Sequence, residues 1–438
     1  MKKLTLLASA AMGLLSTSAV MAQTNVTLYG LVDAGYFSAS GLRSGTYKGI
    51  ASGIMEGSKF GMRGTEDIGG GYKGIFTLEG RFEADTGSLS NRPPSGGQLP
   101  DRFVSSDLLI PTFSPAQRAG LQPFFNTIAY GNAAGTIGTA GGVSAGVGVN
   151  VNPQALFDRQ AFVGLVTPFG QFTAGRQYTP GYLVGASFDA SQTQSSLAAG
   201  QVGSFPPTFD IRLSNTIQYG IKLDGLTAAL MYGAGETGTS NANGRFYGGM
   251  AIYKGDGFSV GYGHNEKKNS VGQDSLTNNV FGATLDAGPG TVYGQYATIR
   301  DKNPEILALI TPGITAAAVP LALAGTTPAA IIAAYSNALQ LDARLMHVGY
   351  RMTTGPNTWV VAYSRLDDKR SNDADTSSYG VTYTYALSKR TNLNAVLVRF
   401  NNSGTGQAAP GGNGFLGGVT STAGTDSTNI AFGIRHVF

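Results

Sequence analysis

Residues 376–387, TSSYGVTYTYAL, show the clearest pattern in the chain. Their bulky side chains alternate with small ones, with Tyr379, Val381, Tyr383, Tyr385 and Leu387 set against Gly380, Thr382 and Thr384. Successive side chains of a β-strand point to opposite faces, so a strand here has one apolar and one polar face. Segments of about ten residues with this period are typical of strands that cross a membrane around a water-filled interior.

The same alternation recurs in three further segments: 74–84, 212–223 and 278–286. Segment 391–400 is less regular, because Val396 and Val398 share the parity of Asn394, and its neighbours identify it as a strand. The last segment, 428–438, carries three bulky apolar side chains on one face. Together these segments predict an all-β membrane protein.

The connections between the segments fall into two classes. Seven are short: 65–72, 167–170, 223–226, 255–257, 287–290, 354–357 and 388–390. Eight are long: 38–50, 86–156, 178–211, 236–244, 266–276, 301–340, 367–375 and 401–427. Outer-membrane barrels have an even number of strands, short periplasmic turns and longer outer loops. We therefore predict a 16-stranded antiparallel transmembrane β-barrel, which is wide enough to leave an aqueous lumen.

The first residues have the pattern of a cleaved export signal. Lys2 and Lys3 precede an apolar run, and Ala22 ends the segment with a small residue. We predict a signal peptide over 1–22 and a single barrel domain over 23–438. An amino-terminal membrane anchor is the alternative, but the run is short for a span and is followed directly by polar residues.

Composition narrows the choice of class. The chain has 64 Gly, 20 Tyr, 22 Phe and no Cys, with a mean hydropathy of −0.01, which argues against a disulfide-stapled secreted domain. The 30 basic and 26 acidic residues give a small excess that does not indicate a nucleic-acid partner. Residues 306–341 are apolar but interrupted by Pro312, Pro320 and Pro328, which predicts a long, partly helical loop.

Several motifs resemble one family along the whole chain. They are VTLYGLVDAGYF (26–37), SKFGMRGTEDIGGGYKGIFTLEGRFE (58–83), FDRQAFVGLVTPFGQFTAGRQYTP (157–180), RLSNTIQY (212–219) and IRHVF (434–438). In these stretches the chain is similar to the trimeric general porins of Gram-negative bacteria, especially the β-proteobacterial branch that includes the neisserial porins. Loops 86–156 and 301–340 are longer than is usual in that family.

The resemblance implies an outer-membrane homotrimer whose third long loop, here 178–211, folds into the lumen as a constriction. It also implies a ladder of basic side chains on the facing wall, with a carboxylate nearby. The matching positions are Lys59, Arg63, Arg159 and Arg212, with Glu79 as the carboxylate. Parity places Glu79 and Arg212 on the polar face, adds Arg81 to it, and sets Arg176 on the opposite face.

The resemblance implies partners as well. Phe438, the terminal aromatic residue, corresponds to the signal read by the barrel-assembly machinery, and the outer wall would contact outer-membrane lipid and lipopolysaccharide. Small hydrophilic solutes and ions would pass through the lumen by passive diffusion.

Loop 178–211 departs from the family pattern. Its only acids are Asp189 and Asp210, and SFPPTFD (204–210) stands where enterobacterial relatives carry a P-E-F-G-G signature. Basic wall groups therefore outnumber loop acids, and cationic rings favour anions. We expect a pore that prefers anions, with Asp189 as the candidate loop acid.

The sequence shows little sign of catalytic chemistry. His264, His347 and His436 lie on separate predicted strands, so we predict no metal site, no cofactor and no enzymatic activity. The loop acids at 367–375 form at most a weak cation site. Two alternatives to a general pore remain open: a solute-specific channel with a ligand site in the constriction, and an adhesive or structural barrel built on loops 86–156 and 301–340.

Overall fold

A computed structural model describes residues 25–89, 99–130, 155–192, 211–235, 240–371, 373–410 and 419–438. The predicted signal peptide over 1–22 lies outside these ranges, as do Asp210 and the SFPPTFD stretch.

Within the described ranges, seventeen strand segments form one antiparallel sheet. They are β1 (Asn25–Leu42), β2 (Gly45–Ser52), β3 (Lys59–Gly69), β4 (Tyr72–Arg81), β5 (Gln160–Thr167), β6 (Gly170–Tyr178), β7 (Arg212–Lys222), β8 (Leu226–Gly233), β9 (Phe246–Lys254), β10 (Phe258–Lys268), β11 (Asp274–Ala287), β12 (Gly290–Asp301), β13 (Leu341–Thr354), β14 (Asn357–Asp368), β15 (Thr376–Ala386), β16 (Thr391–Asn402) and β17 (Ser427–Val437). From β3 onward each segment pairs with the next, and β1 pairs with β17, so the sheet closes.

Two of the segments are pieces of one barrel strand. β2 pairs with the second half of β1 and β3 pairs with its first half, so the closed wall has sixteen strands, as predicted. The Asp33 carboxylate lies at the break and accepts the backbone N–H groups of Ile54, Met55 and Glu56. Gly53 turns the chain into the break at a φ of 77°, which a residue with a Cβ rarely adopts.

The period-two pattern separates the two faces of the wall. On β14, Val361 is 56% exposed whereas Val360 is 2% exposed. The outward face carries large exposed apolar groups around the barrel, for example Leu28, Val163, Leu230, Phe281, Leu285 and Leu397. A band of this kind is what a lipid bilayer requires of a barrel exterior.

The sorting of connections is confirmed, with one correction. All seven predicted short turns join consecutive strands, and the long connections emerge at the opposite end. Residues 38–50, however, are not a long loop. β1 and β2 extend through them and meet at a tight turn over 43–44, because both strands continue their pairing to the rim.

Helices occupy the long connections. They are α1 (Ser106–Leu109), α2 (Pro115–Tyr130), α3 (Pro180–Ser187), α4 (Glu305–Ala316), α5 (Ala318–Leu323) and α6 (Pro328–Leu339). The prediction of a partly helical loop over 306–341 is confirmed. Pro328 begins α6, with Thr327 accepting the N–H of Ala330 as the N-cap. None of the helices in the described ranges is long and apolar enough to span a bilayer.

The helices α1, α2, α4, α5 and α6 pack together into one apolar cluster at the long-loop end, which we call the helical cap. Phe125 of α2 and Tyr335 of α6 meet edge to face, with ring centroids 5.9 Å apart. Neighbouring loops hold the cap: Arg43 pairs with Asp101, and Arg370 donates to the last carbonyls of α6. The two longest connections are therefore built structures with a core of their own.

Candidate selectivity site on the inner wall

Strand register brings most of the predicted site residues onto one inward face. Lys59 on β3 lies opposite Arg81 on β4, and Gly61 lies opposite Glu79. Arg63 lies opposite Thr27 of β1, one step nearer the short turns. Directly opposed residues on antiparallel strands share a face, so these side chains form one surface. We call the surface formed by Lys59, Arg63, Arg81, Arg159 and Arg212 the arginine wall.

A buried ion pair lies at the centre of this wall. Arg159 Nε donates to Glu79 Oε1 at 2.7 Å, and the two side chains are almost entirely enclosed. The hydroxyl of Tyr29 donates to the other carboxylate oxygen at 3.1 Å. Because both oxygens of Glu79 are engaged, its negative charge holds Arg159 in place and contributes little to the potential in the lumen.

Tyr178, at the end of β6, joins two arginines. Arg159 Nη2 and Arg212 Nη2 donate to its hydroxyl oxygen at 2.9 Å and 2.8 Å. The guanidinium of Arg212 also lies 4.4 Å from the centroid of the Tyr178 ring, a favourable cation–π distance. One phenol therefore holds two like charges close together and limits their freedom to swing apart.

Arg81 and its neighbours continue the wall toward the long loops. Asp158 accepts the backbone N–H of Arg81 at 3.0 Å and lies 3.5 Å from its Nε. Glu83 follows beyond the end of β4, where burial raises the pKa of its carboxyl to about 7 even though Arg81 acts in the opposite direction. Glu83 is therefore a group whose charge changes within the physiological pH range.

Lys59 is held by the break in the second barrel strand. Its ammonium pairs with Glu56, which lies in the break. Arg435 of β17 lies 3.3 Å from the other Glu56 oxygen. The inward turn of residues 53–58 thus supplies a carboxylate that bridges two cations from opposite sides of the seam.

Arg63 is the most open member of the wall. Its side chain is exposed, and its guanidinium lies 5.3 Å from the ring centroid of Tyr29. Among the described residues, the inward cluster contains six cationic side chains, the arginine wall and Arg435, and five acidic ones, Asp33, Glu56, Glu79, Glu83 and Asp158. The balance on this face is positive.

Asp189 is not brought into this cluster. Its side chain is 2% exposed, accepts the N–H and the hydroxyl of Ser191, and lies 4.0 Å from His347 on β13. The adjacent backbone is fixed to the same strand, since the N–H of Ala190 donates to His347 Nε2 at 3.1 Å. Asp189 therefore anchors the loop to the wall.

The first part of loop 178–211 runs along the inner face of β10–β13. Phe188 lies against Gly261 and Gly282, where an added Cβ would come within 2.5 Å and 2.2 Å of its ring. Ala190 lies equally close to Gly349. We call Gly261, Gly282, Gly349, Asn265 and His347 the docking wall. Residues 193–210, the rest of the predicted constriction, lie outside the described residues.

Sequence reasoning missed several members of the site. Tyr29, Asp158, Tyr178 and Arg435 carry the hydrogen bonds and ion pairs described above but were not predicted. Parity offered a signal for Arg435, which alternates with outward His436, and for Tyr29, which shares a face with Asp33. No sequence signal identified Tyr178, whose role depends on two arginines from other strands.

The three histidines and two of the loop acids have ordinary partners. His264 contacts Asn279, His347 contacts Ser364 and His436 contacts Thr391. The loop acids pair with cations, Asp368 with Arg370 and Asp375 with Arg365. In the part of the chain that the structure describes, no three His, Asp or Glu side chains are grouped so that they could hold a metal ion.

Comparison with known proteins gives a consistent result. Residues 7–405 match the family described as Gram-negative porin. The chain is 26% identical over 355 residues to outer membrane porin protein 32 of Delftia acidovorans, an alignment that covers 70% of this chain and 92% of that protein. It is 37% identical over 102 residues to an outer membrane porin protein of Bordetella pertussis, covering 20% of this chain and 26% of that protein.

Among solved structures, the chain resembles the anion-selective porin from Comamonas acidovorans. The TM-score is 0.64 at 22% sequence identity, with 95% of this chain and 100% of that chain covered. At that identity the likeness concerns the barrel fold.

Proposed function

The chain belongs to the Gram-negative porin family, and we propose that its lumen passes small hydrophilic solutes and ions by diffusion with a preference for anions. Membership makes it an outer-membrane channel and not an enzyme. Solutes would move down their own gradients, because a hydrated pore of this kind needs no bound cofactor and no energy source.

The observation that carries the preference is the arginine wall. Its cationic side chains outnumber the acidic ones on the same inward face, whereas Asp189, the described acid of loop 178–211, is held by Ser191 beside His347 and does not face them. A narrow channel with low-dielectric walls focuses the potential of such groups and raises the local concentration of counter-ions. The named anion selectivity of the Comamonas acidovorans porin gives the proposal independent support.

We further propose roles for the individual residues and a trimeric assembly. Arg212, Lys59 and Arg63 would contact the passing ion, whereas Arg81 and Arg159 would shape the potential from behind. Loop 178–211 would set the size limit, and Phe438 would be read by the barrel-assembly machinery. The homotrimer follows from the family, as do contacts with outer-membrane lipid and lipopolysaccharide.

Planar-bilayer recording in a salt gradient tests the proposal. The reversal potential should give an anion-to-cation permeability ratio above one, and Arg212→Gln should lower it by about twofold to fivefold. Arg399→Gln is the matched control, because Arg399 lies on the outward face of β16 and pairs with Asp426 at 2.8 Å. A ratio below one in the wild-type protein would overturn the anion preference.

A further inference from the structure

The two halves of the helical cap come from opposite sides of the barrel. One half, α1 and α2, belongs to the connection between β4 and β5, and the other half, α4 to α6, belongs to the connection between β12 and β13. With β2 and β3 counted as one barrel strand, eight strands separate the two connections in one direction, from β5 to β12, and eight in the other, from β13 through the β17–β1 seam to β4. The halves therefore start at diametrically opposite points of the rim, and any contact between them spans the outer mouth.

The dimensions of the barrel and of α2 agree with a cap that spans the mouth. Sixteen strands that lie about 4.8 Å apart and are tilted by about 40° form a barrel about 30 Å across. The helix α2 has 16 residues and is therefore about 24 Å long. A single helix is thus long enough to cover most of the diameter.

An apolar core joins the two halves where they meet. Phe125 of α2 and Tyr335 of α6 lie at its centre, and both side chains are fully buried. Each half contributes eight buried residues to this core: Leu99, Phe103, Leu109, Ile110, Leu121, Phe125, Ile128 and Ala129 from one, and Ile306, Ile310, Ile314, Leu321, Ile331, Tyr335, Ala338 and Leu339 from the other. Separation of the halves would expose both apolar faces to water, so the hydrophobic effect keeps the cap closed across the mouth.

Polar contacts attach the cap to the rim. Asp101 of the first half pairs with the β1–β2 turn, and its backbone N–H donates to Gln407 Oε1 at 2.5 Å. Its carboxylate also accepts the N–H of Ala423 at 3.2 Å, so it holds the connection between β16 and β17. At the start of α4, Glu305 accepts the N–H of Ser270, in the β10–β11 connection, at 2.7 Å. These attachments follow the rim from β10 through the seam to β5.

We infer that the helical cap is an outer size filter, in series with the proposed constriction deeper in the lumen. The cap covers the mouth from the side where its attachments lie, and solutes enter beside it, above β6–β9. The filter acts on the size of a solute before that solute reaches the arginine wall. This inference rests on the proposed diffusion of solutes through the lumen and adds a second barrier to it.

One-sided addition of polyethylene glycols to single channels in planar bilayers tests the filter. A polymer that enters the vestibule lowers the conductance, so the largest polymer with an effect measures the entrance on the side of addition. For the wild-type protein this size limit should be smaller on the long-loop side than on the short-turn side. When Asn-Gly replaces residues 303–339, the long-loop limit should rise by about twofold in polymer mass and the short-turn limit should stay the same. A short turn can replace these residues because Asp301 already lies opposite Leu341.

The same shortened variant separates the filter from ion selectivity. Residues 303–339 contain one charged side chain, Glu305, so the variant should keep the wild-type anion-to-cation permeability ratio. A wild-type protein that forms no conducting channel would contradict the proposed function. A conducting wild-type protein with equal polymer limits on its two sides would overturn the filter alone.

A pair of substitution variants repeats the test without shortening the chain. Phe125→Ser/Tyr335→Ser removes the two aromatic rings at the centre of the cap core and should raise the long-loop limit in the same direction as the deletion. Val319→Ser/Leu323→Ser is the matched control and should keep the wild-type limit, because these side chains on α5 are 72% and 86% exposed. An unchanged long-loop limit in the cap variants that conduct, or an equal rise in the control, would overturn the inference.

Discussion

The arginine wall and the docking wall both lie on the inner face of the barrel, but their side chains differ in size and charge. The first consists of long charged side chains tied by ion pairs and phenol hydroxyls. The second consists mainly of glycines, on which Phe188 and Ala190 rest directly. Inward parity is common to both, so facing the lumen does not by itself require polarity. The docking wall has no side chain at the points where the loop packs closest, whereas the arginine wall carries long charged ones.

The largest effect on stability is expected from removal of the cation at the centre of the arginine wall. Arg159→Met leaves Glu79 as a buried carboxylate without its ion-pair partner, which typically costs about 3–5 kcal/mol. We expect the free energy of unfolding to fall by roughly that amount in a urea titration that follows the fluorescence of the single tryptophan, Trp359. The double variant Arg159→Met/Glu79→Gln should recover most of the loss, and equal stability of the two variants would contradict the interpretation.

A smaller effect is expected from adding bulk to the docking wall. Gly282→Val places carbon atoms where the ring of Phe188 lies, and overpacking of this kind costs about 1–3 kcal/mol. We expect α3 to move away from the docking wall and the pore to widen. Proteoliposomes that contain the variant should then swell in larger oligosaccharides than those that contain the wild-type protein. Gly294→Val is the control, because a Cβ at that position meets nothing within 4 Å. If the largest oligosaccharide that passes is the same in Gly282→Val and in the wild-type protein, the docking wall does not hold the loop in place.

The smallest expected effect is a change of ion selectivity with pH, caused by Glu83 beside the arginine wall. The pKa of Glu83 is raised to about 7, so the group is neutral below that pH and anionic above it. Lowering the pH from about 8 to about 6 therefore removes a negative charge, and the anion-to-cation permeability ratio should rise by roughly twofold. In Glu83→Gln this rise should be clearly smaller than in the wild-type protein. A ratio that falls on acidification would contradict the assignment.

Local alternation predicted the faces of the strands because it depends only on neighbouring residues. Glu79, Arg81 and Arg212 face inward and Arg176 faces outward, as parity predicted. Segment 391–400 was irregular in sequence for a physical reason. Val396 and Val398 also face inward, where they join the apolar cluster that packs beneath the long loops.

Features that depend on distant parts of the chain could not be predicted in this way. The break at 53–58 requires the Asp33 carboxylate, which is far from it in sequence but adjacent across the sheet. The burial of Asp189 requires His347 from a strand well over a hundred residues later. The helical cap likewise arises from two separate loops that bury their apolar faces against each other.

The closing seam has a consequence for the order in which the protein can fold. β1 pairs with β17 from Leu31 opposite Val437 to Ser40 opposite Thr428, and Gly30 and Phe438 exchange two backbone hydrogen bonds. The first strand to be synthesised, β1, therefore has one unpaired edge until the last strand, β17, is in place. Until then the nascent chain exposes two open strand edges, which must be shielded from self-association throughout synthesis and export. Loss of the final residues would remove the Gly30–Phe438 hydrogen bonds and shorten the seam that closes the barrel.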